Sequence, residues 1–299
     1  MAIHIESLRQ TCVDPMSLKR QPKTGATLVG SQKTAGKPSV SAFRIDVRFV
    51  GGLTQSQKNV FDAAASRWSQ VITGDLPSYR LPTGEVVDDV LIDARGVSID
   101  GPNGTLGRAG PVFLRTDSLL PAYGIMEFDT ADLQRMETDG SLKDVIIHEM
   151  GHVLGIGTIW DDKGLLVGCP TANPVFLGEA AMREFATLTG GGITPVPVAN
   201  TGGPGTRCGH WRESILGNEL MTGFLNTGIN PLSRMTIGSL EDLGYTVNYD
   251  AADPYELPSP LEMALMGIGG DGHRQYCRMC GGGDRPISPV VLPADSSME

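Results

Sequence analysis

The chain has 299 residues, is 40% hydrophobic and carries a formal net charge of −10, enough apolar material for one large domain or two lobes. The acidic balance argues against a nucleic-acid partner or an anionic membrane surface, both of which call for a basic face. The longest apolar stretches fall far short of the ~20 residues of a transmembrane segment, and Met1 to Arg20 lacks the apolar core of a standard export signal, which leaves a cytoplasmic location or a non-standard export route.

Residues 1–40 mix Lys, Gln, Pro, Ser and Gly without period and read as a mobile extension. From Phe43 the pattern changes: Phe43, Ile45, Val47 and Phe49 alternate with polar residues, predicting a half-buried strand that stops at Gly51-Gly52. Thr54 and Gln57 form a capping box, and Val60, Phe61, Ala64, Trp68, Val71 and Ile72 follow at helical spacing. Val86–Ala94 predicts a second buried strand, with a shorter one near Tyr79–Leu81. Asp100–Gly104 (DGPNG) lacks the alternating ligands of a calcium loop and reads as a turn. Leu106–Leu114 and Tyr123–Phe128 predict two more strands, the second ending at Asp129 just ahead of a helix that starts at Ser141 and Asp144 and stops at Gly155.

That helix carries His148-Glu149-Met150-Gly151-His152, a HExxH motif. Positions i and i+4 share one helix face, so two imidazoles can grip one Zn²⁺ while Glu149 sits beside the open coordination position. After Trp160 the periodicity weakens. Glu179–Leu188 predicts a short helix, Gly190–Gly205 a long Gly/Pro loop, and Ser233–Leu243 a helix closed by Gly244; beyond about Pro254 the pattern is lost.

A catalytic zinc needs a third protein ligand. Of the five histidines, His4 and His273 fall in the two terminal segments, which leaves His210 as first choice, with Glu179, Glu184 and Asp161 as carboxylate alternatives. The five cysteines, Cys12, Cys169, Cys208, Cys277 and Cys280, do not make a small disulfide framework. Cys169 and Cys208 bracket one insertion and could close it, or stay as buried thiols. Cys12 reads as an ordinary mobile thiol, and Cys277-x-x-Cys280 with His273 is a weak candidate for a second metal.

Taken together, HEMGHVLG, GHWRESILGNELMTG and NPLSRMTIGSLEDLGY, preceded by LGRAGP and GIMEFDTADL, resemble leishmanolysin, the long-insert branch of the metzincin zinc endopeptidases, and especially its bacterial relatives, over roughly residues 43–255. The short-spacing metzincin pattern HExxHxxGxxH is broken, since Thr158 stands where its third histidine would be; the leishmanolysin branch inserts a subdomain first, and His210 lies 58 positions beyond His152. The resemblance implies His148, His152 and His210 as zinc ligands, Glu149 as general base, Met221 as the methionine of the Met-turn, and Gly155 as a structural residue near the site. It implies an α+β fold of metzincin type. A twisted mixed sheet and the zinc helix would form an N-terminal lobe (41–157). A mostly irregular and helical C-terminal lobe (158–255) would hold the insertion, third ligand and Met-turn, with the active-site cleft between the lobes; the patternless stretch 256–299, outside the resemblance, reads as a disordered tail. The resemblance further implies one catalytic Zn²⁺ and polypeptide substrates that pair with an edge strand within Gly110–Leu114. A zinc-containing binding module without proteolysis, and a zinc amidohydrolase acting on a small amide, are the alternatives; the sequence carries no signal for oligomeric state.

Overall fold

A computed structural model describes residues 43–298 apart from 103, 204, 225, 227, 269–277 and 281–286, with only the backbone of 278–280. The extension 1–40, Cys12, His4, His273 and Cys277 lie outside the described residues, as does the side chain of Cys280.

The chain opens with β1 (Ile45–Gly51) and α1 (Gln55–Val71). The Thr54 hydroxyl accepts from Gln57 N–H and the Gln57 side chain from Thr54 N–H, the reciprocal cap expected from the sequence. β2 (Tyr79–Arg80) pairs with β3 (Val86–Val87), and β4 (Val90–Val97) follows. The single strand predicted over Val86–Ala94 is thus broken at Asp88-Asp89. The buried Asp89 carboxylate accepts the N–H groups of Arg44 and Leu76, pinning the chain between β3 and β4.

β5 (Thr105–Leu114) and β6 (Pro121–Asp129) make an antiparallel pair, and β6 and β1 flank β4 in parallel. The resulting sheet is mixed. The DGPNG segment is a turn: the Asp100 carboxylate takes Thr105 N–H, and Asp129 takes the N–H groups of Ile99, Asp100 and Gly101. Asp129 also caps α2 (Thr130–Asp139), a helix the sequence reading passed over, by accepting from Ala131 N–H. The metal-motif helix α3 (Leu142–Val153) begins after it. Ser141 does not cap α3 with its side chain; the hydroxyl turns back to Asp139 at 2.6 Å, because α2 leaves that carboxylate within reach.

Short strands β7 (Leu166–Val167), β8 (Val175–Phe176) and β9 (Val196–Pro197) form a small antiparallel sheet, with α4 (Glu179–Thr189) between the last two. The Gly/Pro-rich stretch 190–205 is therefore interrupted by a strand. Cys169 and Cys208 are joined as a disulfide across this insertion. α5 (Glu213–Leu216) and α6 (Arg234–Leu243) follow, α6 capped by the Ser233 hydroxyl and ended by Gly244 with φ of 113°.

The region past residue 255, expected to be tail, contributes α7 (Pro260–Leu265), β10 (Arg278–Cys280) and β11 (Val290–Val291). Both strands pair in parallel with β5, on the side away from β6. Leu292 completes a small second core with Tyr79, Leu81, Val87, Leu91 and Ala122. Among the described residues no helix is long and apolar enough to cross a membrane.

The main core lies between the sheet and helices α1 and α3. Phe61, Trp68, Phe128, Val145, Ile146 and Met150 are fully buried, and Trp68 Nε1–H donates to Ile147 O at 3.0 Å. That bond fixes α1 against the turn of α3 from which the two motif histidines project.

Candidate metal centre and active site

All of Val145–Val153 is buried, including His148, Glu149 and His152. Ionisable groups in such a place must be paired, neutral or bound to a metal. The structure brings His210 to the two motif histidines across the insertion: the three Nε2 atoms lie 2.9 to 3.1 Å from one another. Each Nδ1 faces a main-chain carbonyl, Leu220 O at 2.7 Å for His148, Ile156 O at 2.8 Å for His152 and Thr206 O at 3.0 Å for His210.

A carbonyl can only accept, so each Nδ1 carries the proton and each neutral ring turns its Nε2 lone pair inward. Three lone pairs meeting at that distance repel one another and cannot hydrogen-bond among themselves. A cation resolves the repulsion, and the donor set suits zinc: three neutral imidazoles, each oriented by a second hydrogen bond. The nitrogen separations are slightly shorter than the ~3.3 Å spanned by tetrahedral ligands at about 2.0–2.1 Å. Burial also holds the rings neutral. His148 is driven well below the usual histidine value by burial and by the two neighbouring rings, His152 to about 4 by burial, and His210 to about 3 by burial and His152.

The carboxylate alternatives are elsewhere. Glu179 and Asp161 are exposed, and Glu184 is engaged by Arg234 at 2.8 Å. Thr158 donates its hydroxyl to His152 O at 2.7 Å and closes the exit of α3. The approach of the insertion depends on a glycine: Gly157 has φ of 75°, and a Cβ there would collide with the carbonyl of Gly209, the residue before His210. Gly155, with φ of 108°, turns the chain just after the Leu154 cap of α3.

Met221 is fully buried against α3; a Cβ on Gly151 would stand 3.0 Å from its sulfur and 3.1 Å from the Trp68 ring. Its turn is held by Glu219, a residue that the sequence reading missed. The fully buried Glu219 carboxylate accepts from Met221 N–H at 2.6 Å, from Ser233 N–H at 3.1 Å, from the Ser233 hydroxyl at 2.7 Å and from the Thr236 hydroxyl. Thr236 in turn receives Trp211 Nε1–H at 2.8 Å, and Trp211 N–H donates to Met221 O at 3.0 Å. One carboxylate thus ties the start of α6 to the turn that presents Leu220 O to His148 and to the segment that carries His210. Burial raises the Glu219 pKa against the opposing effect of these donors. The only sequence signal for this role was a glutamate immediately before the apolar pair Leu220-Met221.

On the other flank, β5 runs beside Glu149: a Cβ on Gly107 would lie 3.3 Å from Glu149 Cγ. A carboxylate, three converging imidazole nitrogens and a strand backbone are thereby assembled from α3, the insertion and the sheet.

The chain is also similar in sequence to known proteins. A leishmanolysin homolog from Crithidia fasciculata is 27% identical over 142 residues, which are 44% of this chain and 21% of that protein, so the chain spans about a fifth of that relative's length. The leishmanolysin peptidase family matches residues 88–257, a stretch that contains α3, the insertion with His210 and the turn at Met221. Because this match extends over more than half of the sequence, the chain belongs to the leishmanolysin family of peptidases.

Proposed function

We propose that the chain is a zinc-dependent endopeptidase of metzincin type, with His148, His152 and His210 as the ligands of one zinc and Glu149 as general base. The observation that carries this reading is the set of three inward Nε2 atoms, each fixed by a carbonyl on its Nδ1. When bound, zinc supplies Lewis acidity, lowering the pKa of water to about 7 and polarising a scissile carbonyl. Glu149 takes the proton of the attacking water and returns it to the leaving amine, so no covalent intermediate on the protein is required. Met221 and Glu219 keep the floor and the Leu220 carbonyl in place. A binding module would have no use for a base at position 149. We read residues 41–157 and 158–255 as the two lobes and the space between them as the cleft for a polypeptide. The Cys169–Cys208 disulfide suits an oxidising compartment.

Digestion of unfolded casein with and without a chelator tests the activity, which should vanish on metal removal and return with zinc. Glu149→Gln should retain one zinc per chain and lose about 10²–10⁴-fold in turnover. A fully active Glu149→Gln protein would remove Glu149 from the base role.

A further inference from the structure

If the chain cleaves peptides, the outer edge of β5 is where an extended substrate would add as a further strand. That edge is already taken by the chain itself. β10 pairs with Thr105 and Gly107, and β11 with Phe113 and Leu114. Leu292 N–H donates to Leu114 O at 2.8 Å, and the Thr116 hydroxyl donates to Leu292 O. Between the two paired stretches, a Cβ on Gly110 would stand 3.5 Å from Ile287 Cδ1 and 3.9 Å from Thr158 Cγ2, so Ile287 covers the middle of the strand beside the exit of α3. β10 also lies against α3.

The same C-terminal region also reaches the rear of the third ligand, the Nδ1 side of His210 that faces away from the converging Nε2 atoms. A cavity of about 290 Å³ is lined by Thr206, Trp211, Gly223, Phe224 and Ile268 among others. It adjoins His210, whose Nδ1 bonds to Thr206 O and whose ring lies 3.8 Å from a Cβ placed on Gly223. Ile268, only 9% exposed, follows α7 and takes up part of this wall. Tyr255 O–H donates to Leu216 O at 2.5 Å and holds the start of the region against the same turn.

We propose that residues 278–280 and 287–292, braced by Ile268, act as an intramolecular strap over the β5 edge where substrate would bind, so that the chain is latent until the strap lifts. The inference rests on the peptidase reading. Its mechanics follow from how unequally the strap is held. Leu292 is an anchor, 2% exposed in its own small core, whereas Val290 and Val291 are 57% and 45% exposed, and Ile287 is half-buried. The stretch 287–291 is therefore fastened by backbone pairing and one side chain, which a competing peptide backbone can replace bond for bond. Leu292 can stay docked while the strap peels.

The test uses the full zinc-loaded chain and variants Ile287→Asp and Ile268→Asp, with casein-derived fluorogenic peptides as substrate and amide hydrogen exchange over 105–114 as a readout independent of activity. Opening should lower KM at least fivefold with kcat unchanged and should speed exchange in β5. A synthetic peptide with the sequence of Ile287–Leu292 should inhibit the opened variants competitively and the parent chain less. Faster exchange with unchanged KM, or no inhibition of any chain by the peptide, overturns the strap and leaves the peptidase reading standing. If no zinc-loaded chain, opened or intact, shows turnover, the peptidase reading falls and the strap with it.

Discussion

Each imidazole of the centre is oriented by a main-chain carbonyl, so the geometry of the site depends on where three loops run as much as on which residues they contain. Gly157 is the sharpest case. A methyl group there meets the Gly209 carbonyl at a φ of 75° that L-residues rarely adopt, and the backbone ahead of His210 has to move. Gly157→Ala should therefore weaken zinc binding by tenfold or more, read by chelator competition, while His148 and His152 stay in place on α3. The residue-level roles divide by legibility. His148, Glu149 and His152 were readable because helical spacing is local. His210 needed the motif around it, since a separation of 58 positions carries no geometry of its own. Leu220, Ile156 and Thr206 act through carbonyls that every residue possesses, so nothing in their identity marked them, and the role of Glu219 depends on four donors, three of them from residues 233 and 236, that only the fold brings to it.

Among the elements, long periodic ones were legible and short ones were not. α1, α4, α6 and the β5–β6 pair lie where spacing and caps placed them, since an apolar face repeats over several turns or residues. α2 escaped because it directly follows a strand and shares its cap residue, Asp129. The two-residue strands β7 to β9 are too brief to show alternation and exist because the insertion folds back on itself. The disulfide closes that insertion two residues before His210. Replacing both cysteines with serine should cost about 2–4 kcal/mol in denaturant unfolding. Zinc exchange should also quicken, because the segment bearing the third ligand is then held only by hydrogen bonds and the packing of Trp211, with no covalent tie. Unchanged stability in the double variant would show that the sheet β7–β9 holds the insertion unaided.

For the molecule as a whole, the buried histidines set a pH dependence. An unfolded metal-free chain takes up protons on these rings near pH 6.5, while the folded one holds His152 neutral to about 4 and His210 to about 3. Between those limits the unfolded state binds more protons, so stability falls as pH falls, on the order of 2 kcal/mol per histidine at pH 5. Glu219 has the opposite sign, because a carboxyl raised by burial keeps its proton longer when folded. Thermal melts of the metal-free chain should drop between pH 7 and pH 5, and saturating zinc should raise the melting temperature at every pH while leaving that slope in place, because the metal-bound rings are unprotonated as well. A melting temperature independent of pH over this range would mean that the rings are hydrated in the metal-free state. The three tryptophans of the chain add a practical consequence. Trp68, Trp160 and Trp211 are all fully buried. Trp68 bonds to the residue before His148, Trp211 follows His210, and Trp160 packs on Trp211 with ring centroids 4.6 Å apart. No indole sits at a distant surface, so intrinsic fluorescence is a built-in optical probe of the centre: titrating the metal-free chain with zinc should change the emission up to one equivalent and then plateau, with no label attached.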